Sequence, residues 1–151
     1  MSLSSSVVSA WFGGCDYRNH ADVMQQVAAA IDALSLPAGF IHPGDCVVLK
    51  PNWVKEHDER KPGPDQWEHV VTHPAVIEGV IAWVAPQLQG AGSIVICDAP
   101  QTDSSFATLR RYCGLDAMID RCHERWPRLH IELLALRPAE WHAVDGVTVK
   151  K

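Results

Sequence analysis

Four apolar residues, Cys46, Val47, Val48 and Leu49, run straight into Lys50, Pro51, Asn52 and Trp53. A short, uninterrupted apolar run rich in β-branched side chains is the pattern of a strand buried on both faces, as in a parallel sheet. Proline ends the ladder because it has no N–H to donate. Lysine and asparagine therefore stand at the carboxyl end of a fixed strand, where open α/β sheets meet their ligands. A second such run, Ser93, Ile94, Val95, Ile96 and Cys97, ends in Asp98.

Between and around these runs the apolar period changes to that of helices. Val23, Val27, Ile31 and Leu34 predict a helix over residues 20–34. Val76, Ile77, Val80, Ile81, Val84 and Leu88 predict another, with Thr72 as its N-cap and Pro74 in its first turn. Asp103 or Ser104 is expected to cap a third helix that Gly114 closes, and a fourth follows over residues 116–126. Residues 7–12 read as a first strand and residues 129–136 as a further one. Asp145-Gly146 between two β-prone stretches signals a hairpin. The order of elements predicts an α/β fold: layered α/β/α, with a mainly parallel central sheet and a C-terminal β-hairpin. The 151 residues fit a single domain.

A polar stretch over residues 54–71 interrupts this pattern, with a charge run at Lys55-Glu56-His57-Asp58-Glu59-Arg60-Lys61. A loop of this length is expected to be a lid or to be mobile, and the charge run by itself reads as solvated.

Composition narrows the partners. The formal net charge is −5 and no basic block occurs, which argues against nucleic acid. No apolar run approaches the roughly 20 residues of a spanning helix, which argues against a membrane. The first residues lack the basic and apolar regions of a secretory signal. Five cysteines without a Cys-x-x-Cys pair read as reduced thiols used as small hydrophobes, and a cytoplasmic location is expected. There is no dinucleotide fingerprint, no P-loop and no serine elbow. His69 and His73 have a metal-pair spacing, but Pro74 starts the helix after His69 and breaks it.

Parallel strands place Lys50, Asn52 and Asp98 on one edge of the sheet. Helix starts at Thr72-His73 and Asp103-Ser104 join them there, with their free N–H groups and partial positive charge favouring an anion. Asp16, Tyr17 and Arg18 are expected at the same rim. The candidate chemistry follows from these types. Lys50 neutralises charge and Asn52 orients a ligand. Asp98 or His73 serves as base or metal ligand, while Thr72, Asp103 and Ser104 bind. Each has a plain reading beside it: a strand-end lysine, helix caps, a turn-capping aspartate, or a buried Lys50–Asp98 pair.

Lys50-Pro51-Asn52, then Thr72-His73-Pro74, then an apolar strand ending in Asp98 resemble the domain of unknown function 362 family over residues 47–115. The resemblance departs at the third motif, where Cys97-Asp98-Ala99 stands in place of Gly-Asp-Ser. It implies a chain like the N-terminal half of a longer family domain, and an iron–sulfur cluster only in longer relatives. The cofactor and any metal of this chain stay open. The expectation is a site for a small anionic molecule or a metal-assisted substrate. The alternative is a non-catalytic binding or assembly module, and self-association into a homo-oligomer through the hairpin edge is expected in either case.

Overall fold

The computed structural model describes residues 16–61, 63–137, 142–144 and 147–150. Its order is α1 (His20–Asp32), β1 (Cys46–Leu49), α2 (Pro74–Val84), β2 (Ser93–Asp98), α3 (Phe106–Cys113), α4 (Leu115–Arg125), β3 (His130–Ala135), β4 (His142–Val144) and β5 (Val147–Lys150). The fold is α/β. β1, β2 and β3 form an all-parallel sheet in that order, and β4 pairs with β5 antiparallel as a separate two-stranded sheet. The strand expected over residues 7–12, Cys15 and the Asp145-Gly146 turn lie outside the described residues.

Register explains where the core sits. Val47, Ile94 and Ile131 are neighbours across the three strands, and so are Leu49, Ile96 and Leu133. Because side chains alternate along a strand, these six share one face. They pack with Ile77, Ile81 and Val84 of α2 and with Leu115, Met118 and Cys122 of α4. The opposite face carries Cys46 and Val48 of β1, Val95 of β2 and Leu134 of β3, and Val48 is 60% exposed. The apolar run at β1 was expected to be buried on both faces. It is half-buried on one, at Val47 and Leu49, because the described helices that pack on the sheet core gather on that side, while Cys46 and Val48 are exposed on the other.

α1 lies against α2 rather than on the described strands. Gly79 permits this contact, since a Cβ there would stand 3.1 Å from Val27. Glu78, buried beside it, receives Nδ1 of His20 at 3.1 Å and Nη2 of Arg121 at 2.7 Å, tying α1, α2 and α4 together. Gly92 sits at φ +98, a left-handed conformation that glycine adopts without strain. A Cβ there would meet the Asp45 carbonyl oxygen at 2.3 Å, so Gly92 also lets β2 enter beside β1.

Two helix starts differ from expectation. His73, not Thr72, caps α2: its Nδ1 accepts the N–H of Ala75 at 3.1 Å. Pro74 takes the first helical position and holds His73 extended, which frees the Thr72 hydroxyl for another partner. Ser105, not Asp103 or Ser104, caps α3 by accepting from the Thr108 N–H. Asp103 and Ser104 are drawn instead toward the polar loop.

Cys97, Cys113 and Cys122 are buried free thiols, as expected of small hydrophobes. Burial pushes Cys113 and Cys122 up to about 12, so both stay protonated and unreactive. Cys46 is exposed, on the face of β1 that no described helix covers. Among the described residues no helix is long and apolar enough to cross a membrane.

Candidate functional site

Asp98 organises the carboxyl edge. The last residue of β2 points its carboxylate back toward the chain leaving β1. Oδ2 accepts the Trp53 N–H at 2.8 Å and Nζ of Lys50 at 3.1 Å, and Oδ1 accepts the Ala99 N–H at 2.8 Å. The group is buried, with 7% of the residue exposed. Burial opposes its ionisation, but the amides of Trp53 and Ala99 and the Lys50 ammonium outweigh that and hold its carboxyl below the ordinary range. The sequence alternatives of a rim aspartate and a buried pair thus merge. Asp98 is buried, whereas the Lys50 side chain remains 66% exposed.

The turn after β1 is fixed from a second side. The Asn52 N–H donates to the Thr72 hydroxyl at 2.9 Å, and the Thr72 N–H donates to the Asn52 carbonyl at 2.9 Å. Trp53 and Val71 then form an antiparallel bridge. The three motifs recognised in the sequence therefore meet, with Asp98 beneath the Lys50-Pro51-Asn52 turn and Thr72 beside it. The Asn52 residue is exposed. Lys50 uses two of its three N–H groups, on Asp98 and on the Pro51 carbonyl at 3.2 Å.

His73 stands next to this turn. Tyr17 stacks on its ring at 4.2 Å with an 11° tilt, and Trp67 packs at 5.2 Å. Burial lowers its pKa, Glu68 opposes that shift and His20 adds to it. Since Nδ1 accepts a backbone N–H, the neutral ring carries its hydrogen on Nε2, 3.9 Å from Glu68 Oε1. In this geometry Nε2 is a hydrogen-bond donor. Of the rim residues expected after the N-terminal segment, Tyr17 reaches His73, while Asp16 and Arg18 pair with each other in solvent at 3.2 Å.

Asp103 and Ser104 hold the polar loop. Nζ of Lys55 lies 2.6 Å from Asp103 and 2.8 Å from Glu59, and the Ser104 hydroxyl donates to Glu56 at 2.6 Å. Only 12% of the Lys55 side chain is exposed. Burial alone would lower the Lys55 pKa, but its two carboxylate partners more than reverse that. Further out, Asp58 accepts from Arg60, which holds its carboxyl down to about 2, and the Asp58 N–H reaches the Gln66 carbonyl at 3.0 Å. Lys55 and Glu56 were hidden from sequence reasoning inside a charge run that looked solvated. Their alternation with Asp103-Ser104, 48 residues on, gives no local signal.

Among the described residues no group of three or more histidine, cysteine, aspartate or glutamate side chains is placed to hold a metal ion. A family model described as a domain of unknown function (DUF362) matches residues 47–146. No curated protein and no solved structure matches the chain.

Proposed function

Starting from a chain that belongs to the family of the domain of unknown function DUF362, we propose that the carboxyl edge of its sheet binds a small anionic molecule. One observation carries this reading. Lys50 is anchored at its ammonium by Asp98 and the Pro51 carbonyl, yet its side chain stays two-thirds exposed. An anchored cation facing solvent costs little ordering entropy when a ligand arrives. Asp98 does not cancel it fully, because the Trp53 and Ala99 amides share the carboxylate charge. Lys50 and the exposed Asn52 meet the ligand in this reading, with Thr72 holding the turn from which they project. Asp98 fixes Lys50. His73 offers an Nε2–H at the margin. Asp103 and Ser104 act through the loop that they fasten.

Calorimetric titration with inorganic phosphate and with succinate tests it. The wild-type chain is expected to bind at least one of the two. Lys50→Ala should weaken that binding by tenfold or more, since a charge-assisted hydrogen bond is worth about 1.5–3 kcal/mol. Equal affinity in a variant that melts like wild type would rule the site out.

The second reading, a non-catalytic assembly module, draws support from the sheet face that no described helix covers, where Val48 and Leu134 are exposed. Apolar area of this kind is more often an interface than free surface.

A further inference from the structure

We infer that the amino edge of the sheet, opposite the edge of Lys50 and Asp98, holds a separate binding site for an oxyanion, carboxylate or phosphate, borne on a small apolar body. A cavity of about 280 Å³ opens there between the turn from α2 into β2 and the turn from α4 into β3. Gln89 and Gly90 line it from the first turn. Arg125, Trp126 and Arg128 line it from the end of α4 and the turn that follows. None of its lining residues belongs to the carboxyl edge.

Charge is unbalanced in this cavity. The chain has 18 acidic residues against 13 lysines and arginines, so carboxylates are in surplus. Arg18, Arg60, Arg110 and Arg121 each pair with one, on Asp16, Asp58, Asp116 and Glu78. Among the described residues Arg125 and Arg128 pair with none. Their guanidinium groups rest against uncharged surfaces instead. Arg125 has its Cζ 4.9 Å from the centre of the Trp126 ring and its Nη1 3.3 Å from Met24 Sδ. The Arg128 group takes the place of the side chain that Gly90 lacks, where a Cβ would stand 2.9 Å from its Cζ, Nε and Nη2. Three atoms at one distance mean that the plane of the group faces Gly90, which leaves the N–H groups around its rim free to donate. A planar fork of this kind matches the paired oxygens of a carboxylate or a phosphate.

A structural role accounts for part of this arrangement. Arg125 ends α4, and a cation there answers the negative end of the helix. That role explains neither the second cation at Arg128 nor the cavity between the two. Pro86, Pro127 and Leu129 complete the walls beside Trp126. Apolar walls with a few fixed polar groups are the make-up of a small-molecule pocket, and this one has room for a single ring with one anionic head.

Phenyl phosphate and benzoate, titrated into the full isotope-labelled chain and followed by nuclear magnetic resonance, test the inference. Phenol and inorganic phosphate serve as the two halves of the ligand. The expected result is saturable shifts at the Trp126 indole and the Gly90 amide with phenyl phosphate or benzoate, and binding about tenfold weaker or less with either half. The tighter of the two acids assigns the anionic head. Arg125→Gln and Arg128→Gln should each weaken binding by about fivefold or more. Both side chains are exposed, so both variants should keep the fold. Shifts confined to residues 50–53 and 72–73 would report the carboxyl edge alone and overturn the inference. Phenol or inorganic phosphate binding as tightly as the whole ligand, or folded arginine variants that bind like wild type, would overturn it too.

Discussion

Lys50 and Asp98 are paired, but their removal should differ sharply in effect. Asp98→Ala leaves the Trp53 and Ala99 N–H groups without their acceptor, and Trp53 is 1% exposed. A buried donor left unmade costs about 1–3 kcal/mol, so the variant should lose about 3 kcal/mol. For a chain of this size that is a fall of roughly 6–12 °C in Tm. Lys50→Ala gives up an ion pair whose lysine is mostly in water, and should cost less than about 1 kcal/mol. Acid acts on the same carboxylate. The folded pKa of Asp98 lies below its ordinary value, so the unfolded chain binds the extra proton first. Its contribution is fully present above the ordinary value and is lost as pH falls through the folded one. Thermal melts of both variants across acidic pH check this. A Lys50→Ala chain as unstable as Asp98→Ala would show that the pair, not the amide acceptor, matters.

At the scale of elements, the helices and strands were legible because their apolar periods are local properties of the chain. β2 occupies residues 93–98 as read, and α1, α4 and β3 shift by one or two residues at their ends. The caps were less legible. Thr72 is a good cap by type, but its hydroxyl answers to Asn52, twenty residues away. Asp103 and Ser104 answer to Lys55 and Glu56 in the same manner. These long-range partners also tie down a loop whose composition alone suggests mobility. The cap that replaced Thr72 has a consequence for α2. Protonating His73 at Nδ1 removes the acceptor for the Ala75 N–H. Its folded pKa is lowered, so the unfolded chain takes the proton first, near 6.5. Stability from the neutral cap is present above that value and falls as pH drops through the folded pKa. His73→Ala should cost about 1 kcal/mol at neutral pH and should erase this step. Melts between neutral and mildly acidic pH test it, and a step that survives in His73→Ala belongs to another histidine.

On the scale of the whole molecule, sequence pattern says that a face wants cover without naming what covers it. β1 is apolar at all four positions, and a strand of that kind favours burial on both sides. The described helices provide one side. Val48, Val95, Cys97 and Leu134 line the other as neighbours across the strands, with Val48 and Leu134 60% and 44% exposed. Val144 and Val147 of the hairpin are exposed as well. The chain is therefore expected to self-associate, and the apolar area locates the contact on the sheet face before the hairpin edge. Burying one such side chain is worth about 1.5–3 kcal/mol. Val48→Lys with Leu134→Lys should then weaken association by about a hundredfold or more. Neither residue packs in the helix-side core, so the double variant should keep its fold. Sedimentation over a wide concentration range reads the outcome. A wild-type monomer throughout would end the idea of self-association. Association unchanged by the double variant but lost in Val147→Lys would move the interface to the hairpin.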